Sequence, residues 1–563
     1  REYATRSFNT VYASFDIWKG IKFASTFSYD FVMNKSRAWK DPRTSDGDDD
    51  NGRFSKDYND ITNMTWSNIL TYQTKIKKKH NLDLLVGYEI NSKESDGLGT
   101  TISNFARWDK PEVNNGVVYQ SMGGSNSTTR IVSYITRANY DYDNKYYLGA
   151  SWRTDGSSRL ARENRWGNFW SLSGAWRVSS ESFMKPLQNW LSDLKLRVSY
   201  GVNGTLPSSY YGYMGLSSLT SNYNDNPGIT QSQLENKELT WETNYNFNSG
   251  IDLGFFDNRL NVTFEYYVRT TKNLLYSRPL SLATGFSSYL ANIGKLQNKG
   301  YELEIRSTNI ETKDFRWSTS LNLGHNANKI LKLDGDLKQV TSGTSIHKVG
   351  LPYSTYYMIE FAGIDPADGE PMFYKNTTDE NGNLNKETTK DPRSAEKVIL
   401  QCADPTITGG LGNSISYKWF DLNFNVNFSF GAWNYDGSAS KLEHGGDGTL
   451  NIPIYYRKRW QKEGDETSIE RFVVGRSISM TDYATTRRLY SGDYVRLKNL
   501  TFGFTLPKTW TRKVGIDNIR LYASGNNLLT WAAYDYIDPE SGSSPSWDTP
   551  PMRTYTFGLE VKF

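Results

Sequence analysis

The sequence predicts an all-β fold, a transmembrane antiparallel β-barrel with long extracellular loops and short periplasmic turns. Three observations carry that expectation. Apolar and polar residues alternate with a period of two in about seventeen segments. No long amphipathic helix separates these segments, which argues against parallel βαβ units. Short and long connections alternate along the chain.

The alternation is cleanest in DLNFNVNFSF, residues 421–430. Leu422, Phe424, Val426, Phe428 and Phe430 fall on one face of a strand. Asp421, Asn423, Asn425, Asn427 and Ser429 fall on the other. In a soluble sheet the apolar face would meet a protein core. In a membrane barrel it meets lipid, and the polar face lines a lumen. The same pattern runs through 194–200, 241–255, 260–268 and 301–306. Between Leu497 and Leu500 the apolar phase changes, as a β-bulge would change it. In chain order the strands centre near Ala13, Thr26, Asn68, Leu85, Ile135, Gly149, Leu172, Val198, Tyr245, Phe264, Leu303, Leu321, Gly412, Val426, Leu500, Tyr522 and Leu559.

Short connections are expected near Lys19 and at 77–80, 142–144, 256–258 and 418–420. Long ones are expected at 33–58, 94–127, 204–238, 329–406, 432–491 and 531–551. Two on the short side are longer, 179–193 and 507–517. Loops beyond ~15 residues are usually functional, and this asymmetry is that of outer-membrane barrels. The first and last strands would both run towards the periplasm. An odd count of that kind cannot close antiparallel, so residues 1–563 read as the C-terminal portion of a larger barrel. The final strand ends at Phe563, an aromatic that resembles the assembly signal of such barrels. The chain starts at Arg1 without an initiator Met or a signal peptide, which reads as a mature or truncated chain.

Composition narrows the class. The hydrophobic share is 37% and the mean hydropathy −0.65. No run approaches the ~18 apolar residues of a spanning helix, a test that a β-barrel escapes. Aromatics make up 14% of the chain, with 38 Tyr and 17 Trp. Such rings suit membrane interfaces and sugar-binding surfaces. A net charge of +4 gives no electrostatic case for a nucleic-acid partner. The single cysteine, Cys402, excludes an intrachain disulfide.

The stretch RTDGSSRLARENRWGNFWSLSGAWRVSSE (153–181) resembles the SusC/RagA-like TonB-dependent outer-membrane transporters. Further stretches agree in order: LKLRVSYGVNGT (194–205), WETNYNFNSGIDLGFFDNRL (241–260), NKGYELEI (298–305), AGIDPADGEPMFY (362–374) and DYVRLKNLTFGFTLP (493–507). The resemblance implies a 22-stranded barrel with an N-terminal plug, a SusD-like surface lipoprotein as lid, and import of oligosaccharides or peptides driven through TonB. It places the chain in the outer membrane of a Gram-negative bacterium. Neither a plug domain nor a TonB box is recognisable in residues 1–563, so this stretch alone would neither gate nor couple to energy.

Candidate sites follow from that reading. Glu265, Arg269, Glu302, Glu304 and Arg306 are expected on the lumen face, paired across strands. The alternative, a Glu302–Glu304 acid pair for glycoside hydrolysis, is the weaker reading. Loop aromatics expected to contact cargo are Tyr210, Tyr211, Trp433, Tyr435, Trp460, Trp531 and Trp547. Loop packing or lid contact is the plain alternative. Trp152, Trp166, Trp170, Trp176, Trp241 and Trp317 read as interfacial girdle residues. Asp46, Asp48, Asp50 and Asp57 sit at EF-hand-like offsets, but Asn51 replaces the expected glycine, so a solvated acidic loop is favoured over calcium. No catalytic residues are expected, and no cofactor beyond a possible structural calcium. None of the four histidines sits in a metal or triad context. The rival readings are a soluble secreted all-β glycan-active enzyme or glycan-binding protein, and a passive porin or adhesin barrel.

Overall fold

The computed structural model describes residues 1–563 except 225, 334, 336, 381, 447–450, 476–482, 535 and 542–548. Among the described residues seventeen strands join in one antiparallel sheet, and every strand centre read from the sequence falls inside one of them. The chain divides into two compact units. One holds Arg1–Arg177, Arg197–Phe247 and Thr271–Ile293; the other holds Val178–Leu196, Asn248–Thr270 and Gly294–Phe563.

In the first unit Glu2–Trp18, Ile21–Lys40, Arg53–Ile76, His80–Phe105, Gly116–Tyr142, Tyr146–Ser157 and Trp166–Arg177 each pair with the next. The short turns reverse through left-handed residues, which match the twist of a hairpin. Asp143 and Asn144 (φ 55° and 54°) suit that conformation, and Lys77 and Lys78 (49° and 61°) adopt it too. At Gly20 (φ 81°) a Cβ would lie 2.2 Å from the Gln73 carbonyl oxygen, so only glycine fits.

The strands run further than the pattern predicts. The expected loops 33–58 and 94–127 shrink to 41–52 and 106–115. Four strands reach 20, 24, 26 and 27 residues, where about 9–11 cross a bilayer. The reason is visible in the register. Asp96 faces Asn126, and Gly99 faces Gly123. The backbone ladder continues where the apolar alternation has ended, because ladder bonds need no particular side chain.

The aromatic girdle is largely as expected. Tyr142, Tyr146 and Trp176 stack in sequence, with ring centroids 6.3 and 6.4 Å apart. Further along the same face Tyr88, Tyr134 and Trp166 form a second group, at 5.2 and 6.2 Å. Trp152 and Trp170 are register partners there. From Tyr146 to Gly156, the partner of Trp166, the strand rises roughly 34 Å, or roughly 24 Å along the barrel axis at a tilt near 45°. Apolar Leu82, Leu84, Val86, Leu148 and Leu172 fill the interval. Two ring belts with an oily interval of that height match a bilayer. Trp241 is a correction. It is 7% exposed and packs with Leu160, Phe169, Val202 and Leu239 in a small core, and its indole donates to the Arg165 carbonyl at 3.1 Å. Its position beside a strand end resembles that of a girdle residue, but the loop over it closes and covers the ring.

In the second unit Lys295–Glu311, Phe315–Lys332, Ile407–Tyr417, Phe420–Phe430, Tyr494–Thr505, Asn518–Ala532 and Thr554–Lys562 pair in turn. Gly409, Gly410 and Gly412 lie inside Ile407–Tyr417. The bulge falls where the phase change put it. Asn425 faces Asn499 and Val426 faces Leu497, leaving Lys498 as the extra residue. None of Leu422, Phe424, Val426, Phe428 and Phe430 is buried. Phe502, Leu521 and Leu559 on the same face are 49%, 47% and 62% exposed. An oily face with no second layer of protein over it is what a lipid-facing surface requires, and a soluble protein rarely carries one.

Val426→Arg or Phe264→Arg should destabilise the protein by about 2–4 kcal/mol in urea unfolding from lipid vesicles, as a cation at the bilayer midplane does. Asn425→Arg, one residue away on the polar face, should cost clearly less. A larger loss for Asn425→Arg would mean that the two faces are inverted.

Candidate functional site

The polar face of the second unit forms an open cavity of ≈ 950 Å³. Glu265, Glu302, Glu304 and Arg306 line it together with Asn425 and Asn427, so four of the five expected lumen charges meet there. Arg269 is not among its lining residues. Glu304 is held by Arg306 at 2.5 Å. Gly412 keeps the wall low: a Cβ there would lie 2.6 Å from Ser320 Oγ and 2.8 Å from Asn425 Oδ1.

Beside the cavity the polar residues brace one another sideways. Arg520 donates to both oxygens of Asp421 (2.8 and 3.2 Å) and lies 3.7 Å from Glu560. Asn499 donates to Asn526 (2.9 Å), and Thr501 bonds Ser524 (2.9 Å). Such cross-strand pairs each contribute modestly, and together they hold a hydrated surface in one shape.

At the loop end of this face lies a constellation that sequence reasoning missed. Arg496, 2% exposed, donates to Asp538 and Glu540 at 2.7 Å each. The bulged Lys498 also donates to Glu540, at 2.7 Å. Further along the loops Glu470 is fully buried. It accepts from Arg487 (2.5 Å) and from the Tyr456 hydroxyl (2.9 Å). Glu443 accepts from Tyr455 (2.5 Å) and Arg488 (3.3 Å). Burial, joined by the Glu443 charge, pushes the Tyr455 phenol above its ordinary value. Burial opposes the charge on Arg487, but Glu470, Tyr456 and Glu443 outweigh it and raise its pKa. Partners tens of residues apart, in loops without periodicity, leave no sequence signal beyond the Arg487–Arg488 pair itself.

The expected cargo aromatics are mostly engaged elsewhere. Arg159 lies over Tyr210, 4.4 Å from the ring centre, and the Tyr211 hydroxyl accepts from the Thr128 amide at 2.9 Å. Trp433 and Tyr435 belong to a ribbon, Trp433–Tyr435 paired with Leu489–Ser491. Trp460 donates to the Pro366 carbonyl at 2.9 Å and packs against Gly369. Trp531 is a correction: it lies on a strand, opposite Val495 on the apolar face, because that strand runs on to Ala532. Trp547 lies outside the described residues. Trp317 keeps its girdle place on the apolar face and donates to Asn413 at 2.9 Å. Phe563 follows Thr554–Lys562 and is 90% exposed.

The four aspartates of the acidic loop are not brought together. Asp57 stands on a strand and accepts from Ser36 at 2.9 Å. Asp50 pairs with Arg53 at 2.7 Å, and Asp46 accepts from Thr44 at 2.6 Å. Among the described residues no three His, Cys, Asp or Glu side chains gather as a metal ion would need.

Residues 1–528 match the family described as TonB dependent receptor-like, beta-barrel. The chain belongs to that family. This TonB-dependent receptor barrel is 32% identical, over 98% of its length, to TonB-dependent receptor P3 of Formosa agariphila, of which it spans 57%. It is 30% identical, over 77% of its length, to TonB-dependent receptor SusC of Bacteroides thetaiotaomicron, spanning 44% of that protein. The RagAB peptide transporter matches it with a TM-score of 0.88 at 27% identity, over 100% of this chain and 62% of the other. The chain therefore spans about half the length of the curated relatives it matches. It is a SusC/RagA-like barrel of the Gram-negative outer membrane, with its oily strand face towards lipid.

Arg487→Met should leave Glu470 buried without its cation, at a local cost of about 3–5 kcal/mol. Limited proteolysis should then cut within 431–493 much faster, with the strand circular dichroism unchanged. The double variant Glu470→Leu with Arg487→Met should be the more resistant of the two.

Proposed function

We propose that the complete protein imports an oligomeric nutrient through this barrel, a glycan first and a peptide second. One observation carries the reading: a cavity whose lining is mainly amides, hydroxyls, charged groups and glycines, with a few leucines, lies along the polar strand face. A hydrated wall of that kind lets a polar chain exchange its water for side-chain hydrogen bonds step by step. No covalent step is needed, and no catalytic role is assigned. The aromatic content, 14% of the chain, favours glycan. The likeness to a peptide transporter keeps peptide as the second reading. The partners in this reading are a SusD-like surface lipoprotein as lid, the TonB complex acting through a plug encoded elsewhere in the protein, and outer-membrane lipid.

Uptake by cells that express the complete gene tests the proposal. Labelled oligosaccharides should enter, and a proton uncoupler should abolish their entry. Uptake that survives the uncoupler would point to a passive porin instead. Entry of peptides alone would reverse the order of cargo.

A further inference from the structure

The loop after Asn518–Ala532 returns over the polar face. Ala533 donates its amide to the Asp493 carbonyl at 3.0 Å, one step past the Tyr494–Ala532 pair. Asp538 and Glu540 then close on Arg496, and Glu540 also takes Lys498. This return fixes Tyr534 and Tyr536 at the mouth end of the cavity, whose rim Tyr494 lines.

There the rings make a continuous surface. Tyr534 lies flat on Tyr490, with centroids 3.5 Å apart and planes 18° apart. Tyr536 meets Tyr534 at 5.3 Å and Tyr455 at 5.3 Å. The hydroxyls turn back into the protein. Tyr534 donates to Asp436 (3.1 Å) and Tyr455 to Glu443 (2.5 Å). Glu443 is itself fixed by Arg487 and Arg488. Tyr536 is 68% exposed at the end of this row. A ring with two side-chain torsions, wedged between two other rings, loses little further entropy on binding.

We infer that Tyr455, Tyr534 and Tyr536 form a stacking shelf for the pyranose rings of a carbohydrate chain entering the polar cavity. The inference rests on the import reading and names its cargo class. A pyranose presents an apolar C–H face, which packs on a phenol ring. Its hydroxyls stay free for the amides of Asn425 and Asn427 further in. Because the Tyr455 and Tyr534 hydroxyls are already spent on carboxylates, the shelf offers ring surface rather than hydrogen bonds. It selects for flat C–H faces, not for charge.

The test uses the complete protein with its lid in the native bacterium. The probes are short neutral hexose oligosaccharides, with peptides of similar mass in parallel. Surface level and heat-modifiable gel mobility are followed for every variant. Tyr536→Leu, which keeps bulk but not the flat ring, should weaken oligosaccharide uptake about tenfold, near the upper end of what one aromatic contact supplies. Tyr536→Phe should restore most of it. Should Tyr536→Leu be poorly assembled, equilibrium binding of the same oligosaccharides to purified Tyr536→Ser protein carries the comparison. Oligosaccharide uptake indifferent to Tyr536→Leu overturns the shelf and leaves the import reading standing. Entry of peptides only overturns the carbohydrate assignment. Entry of neither overturns the import reading, and the shelf with it.

Discussion

A backbone amide in hydrocarbon finds no water, and each one left unpaired costs several kcal/mol. That constraint organises the chain. Strand-to-strand ladders satisfy the amides that face a paired neighbour, so side chains there are released from any duty to the backbone. They divide by face alone: Phe424, Val426 and Phe428 to one side, Asn423, Asn425 and Asn427 to the other. The same ladder demands antiparallel neighbours joined by tight reversals. This is why residues as ill-suited as Phe256 (φ 53°) and Lys418 (φ 52°) accept left-handed backbone at the turns.

Outside the oily interval the rules change, and the loops hold together differently. Among the described residues the loops hold small apolar clusters, such as Ile359 with Phe373. Two of the loops are fixed instead by charges withdrawn from water: Glu470 with Arg487 and Glu443 with Arg488 within one, Asp538 and Glu540 of the other on Arg496. Buried ion pairs add little net stability, because desolvation offsets most of the attraction. They do demand one geometry. Under the proposed import function, a mouth presenting the same surface to each cargo would gain from that demand, and the tyrosine row rests on the same carboxylates.

The strands were legible because a two-residue period survives in the sequence wherever one face meets lipid. All the strand centres follow from it, as does the bulge at Lys498. Their ends were not legible. Between 91 and 101 every residue but Leu98 is small or polar, so the ladder continues there without an apolar alternation. Site residues divided the same way. Glu265, Glu302, Glu304 and Arg306 were found because strand phase assigned their face. Trp531 was misplaced because its strand outlasts the pattern. Trp241 was misplaced because a loop that covers a ring leaves no periodic trace. The Glu443–Glu470–Arg487–Arg488 group depends on loop closure, which no local spacing encodes.

The face assignment can be measured residue by residue. With Cys402 and every other native cysteine of the complete protein replaced by Ser, single cysteines along 421–430 in lipid vesicles would carry nitroxide labels. Collision rates with oxygen, which concentrates in acyl chains, and with a water-soluble nickel chelate would be compared at each position. Lipid contact predicts oxygen maxima at 422, 424, 426 and 428 and nickel maxima at 423, 425 and 427, in strict opposition. Two profiles that rise and fall together, or even-numbered labels immobilised and shielded from both reagents, would show a protein interior on that face and contradict the membrane barrel.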